Sequence, residues 1–155
     1  MTSCREAALG MLARRAHTWK ELERKLLRKG FQSEEFGPVL EALAARGYLD
    51  DAAAAASFAR TRAARGIGAR RIASELARRG VGRGDVEATV AALDVEEERA
   101  ALLRALERKR ASLAARLTPT ERSKKLFDHL VRRGFAPAAI LEALRKKGDS
   151  PDDPA

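Results

Sequence analysis

The side chains best placed to do chemistry are paired cations. Arg28-Lys29, Arg78-Arg79 and Arg132-Arg133 each stand directly before a glycine: Gly30, Gly80 and Gly134. Two further pairs, Arg70-Arg71 and Lys124-Lys125, precede them by several residues. Guanidinium and ammonium groups in such pairs supply positive charge and hydrogen-bond donors. That is the chemistry of phosphate and carboxylate recognition rather than of bond making. Covalent chemistry has much less to work with. His17 and His129 stand far apart, and His17 precedes a helix-cap sequence, a common structural place. Cys4 is single and near the terminus, and no His, Cys, Asp or Glu set has metal-ligand spacing. Gly66-Ile67-Gly68 lacks the strand and the lysine of a phosphate loop. Neither an enzyme nor a cofactor site is expected.

The elements that position the cations repeat along the chain. Before each glycine lie two leucine-type residues four apart: Leu22 and Leu26, Ile72 and Leu76, Leu126 and Leu130. After it comes a large apolar residue (Phe31, Val81, Phe135), then Phe36, Val86 and Ile140, then Leu40, Val90 and Leu144. The glycines are 50 and 54 residues apart. Self-similarity at that period marks a repeat protein. A glycine just past a helix takes the left-handed conformation cheaply, and the apolar residue after it packs on the leucine near the helix end. All three helices should therefore end in the same stop.

Starts are legible too. Thr18 with Glu21 and Thr118 with Glu121 read as capping boxes, the second with Pro119 at the first helical position. Asp50 can cap a helix from about 51 to 65, and Ser33, Glu34 and Glu35 favour another start. Gly37-Pro38 should kink that helix or delay its start to Pro38. The pattern predicts nine helices: 5–15, 19–29 and 34–46; 51–65, 69–79 and 84–93; 95–116, 119–133 and 137–147. The expected fold is all-α. Three tandem three-helix repeats (1–49, 50–94 and 95–147) would stack as a short curved array of either hand, with a disordered tail over 148–155.

Ala, Leu, Arg, Glu and Lys dominate, and aromatics are only 5%, which favours helix over sheet. The net charge of +9 is spread over the chain, and points to a polyanion or an acidic protein as partner. One cysteine implies a reducing compartment, no apolar run approaches membrane-spanning length, and the N-terminus lacks an apolar signal region. A monomeric, cytoplasmic protein with no membrane association is expected.

Two accounts of the cations compete. Basic residues in a last helical turn complement the dipole, worth about 0.3–1 kcal/mol each, with no partner needed. In stacked repeats, however, equivalent positions tend to line one surface, so the six cations before the glycines would form a stripe. Arg70, Arg71, Lys124 and Lys125 would join it. They oppose the dipole of their own helix, so helix stability does not explain them. Base-specific reading by helix-turn-helix units is not expected, because Phe36 to Ala45 and Ala138 to Leu144 offer almost no polar groups for it. Single-strand stacking would need exposed aromatics. Trp19, Tyr48, Phe31, Phe36, Phe58, Phe127 and Phe135 instead fall mostly at core-like positions.

Several segments in order resemble the RecX regulators of bacterial recombination: Thr18 to Phe31, Gly47-Tyr48-Leu49-Asp50-Asp51, Ser57-Phe58-Ala59-Arg60-Thr61-Arg62, and Gly66-Ile67-Gly68-Ala69-Arg70-Arg71-Ile72 with Glu75-Leu76 and Arg79-Gly80. Arg132-Arg133-Gly134-Phe135 with Ile140 is similar to the family's third repeat, and the resemblance runs from about 8 to 147. It implies an array of three-helix repeats with no active site. It also implies binding to the RecA recombinase filament on DNA, restraint of strand exchange and ATP hydrolysis, and a place in DNA repair. Asp50 and Asp51 match a family signature, which implies an interface or architectural role. The chain departs from the family at Ala52-Ala53-Ala54-Ala55-Ala56, where an aromatic is usual. The alternative is a non-specific helical DNA binder held weakly by single- or double-stranded phosphate backbone.

Overall fold

The computed structural model describes residues 2–149. Among them are nine helices and no strand: α1 (Cys4–Leu12), α2 (Trp19–Arg28), α3 (Ser33–Ala45), α4 (Asp51–Ala64), α5 (Ala69–Arg78), α6 (Arg83–Ala91), α7 (Val95–Ala111), α8 (Pro119–Arg133) and α9 (Pro137–Lys146). The all-helical expectation holds, and so do the expected stops. Gly30, Gly80 and Gly134 have φ of +94°, +83° and +93°. The N–H of the following Phe31, Val81 or Phe135 donates to the carbonyl of Leu26, Leu76 or Leu130. That is the Schellman bond expected from the leucine–glycine–apolar pattern.

Starts follow local hydrogen bonding. Thr18 and Thr118 accept from the N–H groups of Glu21 and Glu121, whose carboxylates accept back from the threonine N–H. Ser3 and Glu6 form a third such box, readable in the sequence but not predicted. Asp50 Oδ1 accepts from Ala53 N–H at 2.9 Å, as anticipated. Asp94 caps α7 by accepting from the N–H groups of Glu96 and Glu97.

Two helices end several residues short of expectation, and the alternative start of α3 at Pro38 is not taken. α3 begins at Ser33 and carries Pro38 inside it, because the Glu35 carboxylate accepts from Gln32 N–H and fixes the start upstream of the proline. α7 stops at Ala111 rather than 116, where the Ser112 hydroxyl donates to Lys109 O at 2.7 Å and competes with the helical ladder. α1 stops at Leu12 rather than 15, and Arg15 turns to Ala16 O and Glu21. Gly148 and Asp149, expected in the tail, are placed. Asp149 N–H closes a stop on Leu144 O, and its buried carboxylate lies 3.2 Å from Arg110. Residues 150–155 of that tail lie outside the described residues.

The chain divides into two compact units whose boundary passes through the middle repeat. Unit 1 comprises Met1–Ala59 and Glu75–Ala91; unit 2 comprises Arg60–Ser74 and Ala92–Ala155. The core of unit 1 gathers Leu22, Leu26, Phe36, Leu40, Leu43 and Leu49. That of unit 2 gathers Leu102, Leu106, Leu126, Leu130, Phe135, Ile140 and Leu144. Each fully buried leucine contributes about 1.5–3 kcal/mol by leaving water. Leu22, Leu26, Phe36, Leu40, Leu126, Leu130, Phe135, Ile140 and Leu144 among them are positions of the repeat pattern. In the middle repeat, the small side chains Ala54, Ala55 and Ala59 are buried. No residue of α6 is buried.

Candidate partner interface

One hydrogen-bonding device occurs twice, once in each unit: the end of one repeat's middle helix meets the start of another's. In unit 1 the C-terminal end of α5 meets the N-terminal end of α2. The Thr18 hydroxyl donates to Arg79 O at 2.7 Å, and Arg24 Nη2 lies 3.4 Å from Arg78 O. Arg79 Nη1 lies 2.6 Å from Glu21 Oε1, and its guanidinium sits 4.0 Å from the centre of the Phe58 ring. Arg15 reaches Glu21 from the other side at 3.3 Å. Burial pushes the Glu21 carboxyl up. Hydrogen bonds from Arg15 and Thr18 N–H, with the charges of Arg79 and Arg15, outweigh it, so the group lies below its ordinary value.

In unit 2 the C-terminal end of α8 meets the N-terminal end of α5. α5 has no side-chain cap of its own sequence; its free N–H groups are satisfied from elsewhere. Gly68 N–H donates to Arg133 O at 2.9 Å, Arg70 N–H to Gly134 O at 3.1 Å, and Ala69 N–H to Glu98 Oε1 at 2.8 Å. Arg71 Nη1 donates to Arg132 O, and Arg133 Nη1 to Gly66 O, both at 3.1 Å. Backbones approach so closely that a Cβ on Gly68 would lie 2.5 Å from the Gly134 carbonyl. Arg71 opposes the dipole of its own helix but complements the negative end of α8. The sequence offered no sign of this, because the partner carbonyl lies 61 residues away.

The predicted residues thus fall into two groups. Arg79, Arg133 and Arg71 hold the junctions through the bonds just described. Arg28, Lys29, Arg70, Arg78, Lys124, Lys125 and Arg132 are exposed. Arg78 and Arg79 come together at the unit 1 junction, and Arg70, Arg71, Arg132 and Arg133 at the unit 2 junction. Arg28 and Lys29 stand at the far end of α2, about 15 Å from the unit 1 junction at 1.5 Å per residue. Lys124 and Lys125 lie in the second turn of α8, about 12 Å from its C-terminal end. Asp50 caps α4, and Asp51 Oδ1 accepts from Trp19 N–H at 2.8 Å. Burial raises the Asp51 carboxyl, and Asp85 and Asp50 add to the rise against the Trp19 bond.

Sequence reasoning missed Glu21 and Glu98 as cross-repeat acceptors, because a Glu in a first helical turn reads as a local cap. Tyr48 is 61% exposed, in contrast to the core position expected for it. His17 is buried, donating from Nδ1 to Arg15 O at 2.9 Å and accepting at Nε2 from Lys25 at 2.7 Å. Among the described residues no group of three or more His, Cys, Asp or Glu is placed to hold a metal ion. No described helix is long and apolar enough to cross a membrane.

The chain is similar to known proteins along most of its length. It matches the first three-helix domain of RecX over residues 4–43, the second over 50–90 and the third over 96–144. It is 40% identical over 151 residues to a regulatory protein RecX of Halorhodospira halophila, covering 96% of this chain and 90% of that one. A regulatory protein RecX of Pelodictyon phaeoclathratiforme is 39% identical over 140 residues, with 89% and 84% covered. Among solved structures, a crystal structure of regulatory protein RecX superposes with a TM-score of 0.84 at 21% identity, covering 92% of this chain and 71% of that one. RecX from Lactobacillus salivarius gives 0.78 at 20%, covering 92% and 93%.

Proposed function

Because the chain belongs to the RecX family of regulatory proteins, we propose that it binds the RecA recombinase filament on DNA and restrains its ATP hydrolysis and strand exchange. The observation that carries this reading is that all three family domains match in order along one chain. The second support is charge. Arg28, Lys29, Arg70, Arg78, Lys124, Lys125 and Arg132 present exposed cations from all three repeats. Such a surface suits acidic protein and the phosphate beside it. The regulator acts as a monomer in the cytoplasm and needs no cofactor. Its effect comes from occupying its partner rather than from any reaction of its own.

The net charge of +9 favours a second reading, a non-specific binder of nucleic acid. The two separate in one experiment: RecA's single-strand-DNA-dependent ATP hydrolysis is titrated with this protein while its binding to bare DNA is measured in parallel. Inhibition well below the concentration that coats bare DNA is the expected result. Inhibition only at saturation of free DNA would leave the second reading standing. Salt gives an independent check. A protein neutralising about six phosphates loses roughly a thousandfold in affinity between about 50 and 200 mM salt. Affinity for the filament should fall much less.

A further inference from the structure

In unit 2 a groove of about 310 Å³ runs between α7 and α8, lined by Ala105, Arg108, Lys109, Ser112, His129 and Arg133. Four of the six carry nitrogen donors and none carries a carboxylate. No ion pair ties up Arg108, Lys109 or Arg133 among the described residues. Their neighbours differ in this respect: Arg110 pairs with Asp149, and Glu107 pairs with Lys147. Arg133 is held in place by donating to the carbonyls of Gly66 and Arg65, so its guanidinium is pre-positioned rather than free to swing away. A groove lined by cationic donors, one of them held in place, with no carboxylate in its lining is a seat for an anion.

We infer that this groove seats a backbone phosphate of DNA, with Arg108, Lys109 and Arg133 as its donors and His129 in its wall. This rests on the proposed contact with DNA and gives that contact a location. A lone carboxylate would use one seat. The helical row Lys125–His129–Arg133 instead continues the positive surface along α8, where successive phosphates of one strand would follow it. The charges facing His129 are Lys109 and Arg108 from α7, and Arg132 and Arg133 on its own helix. Burial, then Arg133, Lys109 and Arg132, hold its imidazole below the ordinary value, so it is neutral at neutral pH. An entering phosphate reverses that balance, and His129 takes up a proton as DNA binds.

The test uses the full chain and an oligothymidylate strand, with binding followed at about pH 7.5 and about pH 5.5. His129 is watched by side-chain NMR and assigned with H129Q. The expected result is an upward move of the His129 titration on DNA binding, with binding tighter at the lower pH by up to about tenfold for each pKa unit gained. H129Q should abolish that pH dependence. R108Q and K109Q should each weaken binding and lower the salt slope by about 1. An oligonucleotide that leaves the His129 titration unmoved overturns the inference. So does poly-glutamate moving it as far as DNA does, which would make the groove a seat for acidic protein. Inorganic phosphate moving it where DNA does not would assign the groove to a free anion. Retained inhibition of RecA by R108Q, with an unmoved His129, would reject the groove and leave the proposed function intact.

Discussion

Gly30 and Gly134 provide a matched pair of substitutions. Both follow a helix in the left-handed region, at φ +94° and +93°, in the same Schellman stop. Their surroundings differ. A Cβ on Gly30 meets nothing within 4 Å, whereas one on Gly134 would lie 2.5 Å from Arg71 N and overlap Arg71 Cβ. Gly30→Ala therefore bears only left-handed strain, about 1–2 kcal/mol. The stiffer unfolded chain offsets about 0.4–1 kcal/mol of it. The net loss is about 1 kcal/mol. Gly134→Ala bears the same and also forces α8 away from the start of α5. That removes the Gly68 and Arg70 amide bonds, about 0.5–1.5 kcal/mol each. The total is about 2–4 kcal/mol. Urea unfolding followed by far-ultraviolet circular dichroism gives both values, and amide exchange at Gly68 and Arg70 locates the damage. If the two variants lie within about 0.5 kcal/mol of each other, or those two amides stay protected in Gly134→Ala, the junction reasoning is wrong.

Other consequences follow from the same contacts. Glu21 is nearly buried between Arg79 and Arg15, so Glu21→Gln should cost about 1.5–3 kcal/mol in urea unfolding, as expected for lost charged hydrogen bonds. His17 is held below its ordinary value by burial, then by Arg15 and Lys25 against the pull of the Arg15 carbonyl and Glu21; His129 is low for the reasons given above. The unfolded chain then binds the extra protons, so stability is full above about pH 6.5 and falls as pH drops below it. Unfolding midpoints between about pH 7 and 5 should show this, and a H17N/H129Q double variant should flatten the curve. Leu126→Ala, in the core of unit 2, should cost about 2–5 kcal/mol.

The parts of this fold that were legible in the sequence are those governed by near neighbours. Leu26, Gly30 and Phe31 lie within one stop, and Thr18 with Glu21 lies within one turn, so spacing alone predicted their bonds. The shortened α7 was hidden because the Ser112 hydroxyl and backbone N–H groups compete on nearly equal terms for the Lys109 carbonyl. The junctions were hidden for a stronger reason. Thr18 bonds to Arg79 across 61 residues, and Arg133 to Gly66 across 67. No periodicity encodes which helix end meets which. What the sequence did show was an anomaly at the start of α5, arginines that oppose its dipole, and a glycine in the connection just before them. Both belong to the junction. Gly68 leaves room for the Gly134 carbonyl, and Arg71 caps the end that arrives there.

The basic pairs then divide in a way that charge counting cannot reveal. Where another helix docks, the second member of the pair is tied down: Arg79 to Glu21 and Phe58, Arg133 to Gly66 and Arg65, Arg71 to Arg132 O. The first members, Arg78, Arg132 and Arg70, are exposed. At Gly30, where nothing docks, both Arg28 and Lys29 are exposed. Helix-end capping and partner contact, which looked like rival accounts of the same residues, are therefore largely distributed between neighbours, with Arg133 serving both. Charge reversal should separate them. Arg79→Glu would place a carboxylate against Glu21 and should lower the urea midpoint, whereas R28E/K29E and K124E/K125E should shift it far less, by helix-dipole effects alone, and weaken binding to the RecA–DNA filament. If the exposed pairs proved as destabilising as Arg79→Glu, the surface cations would be structural throughout, and the proposed interface would have to be sought elsewhere on the chain.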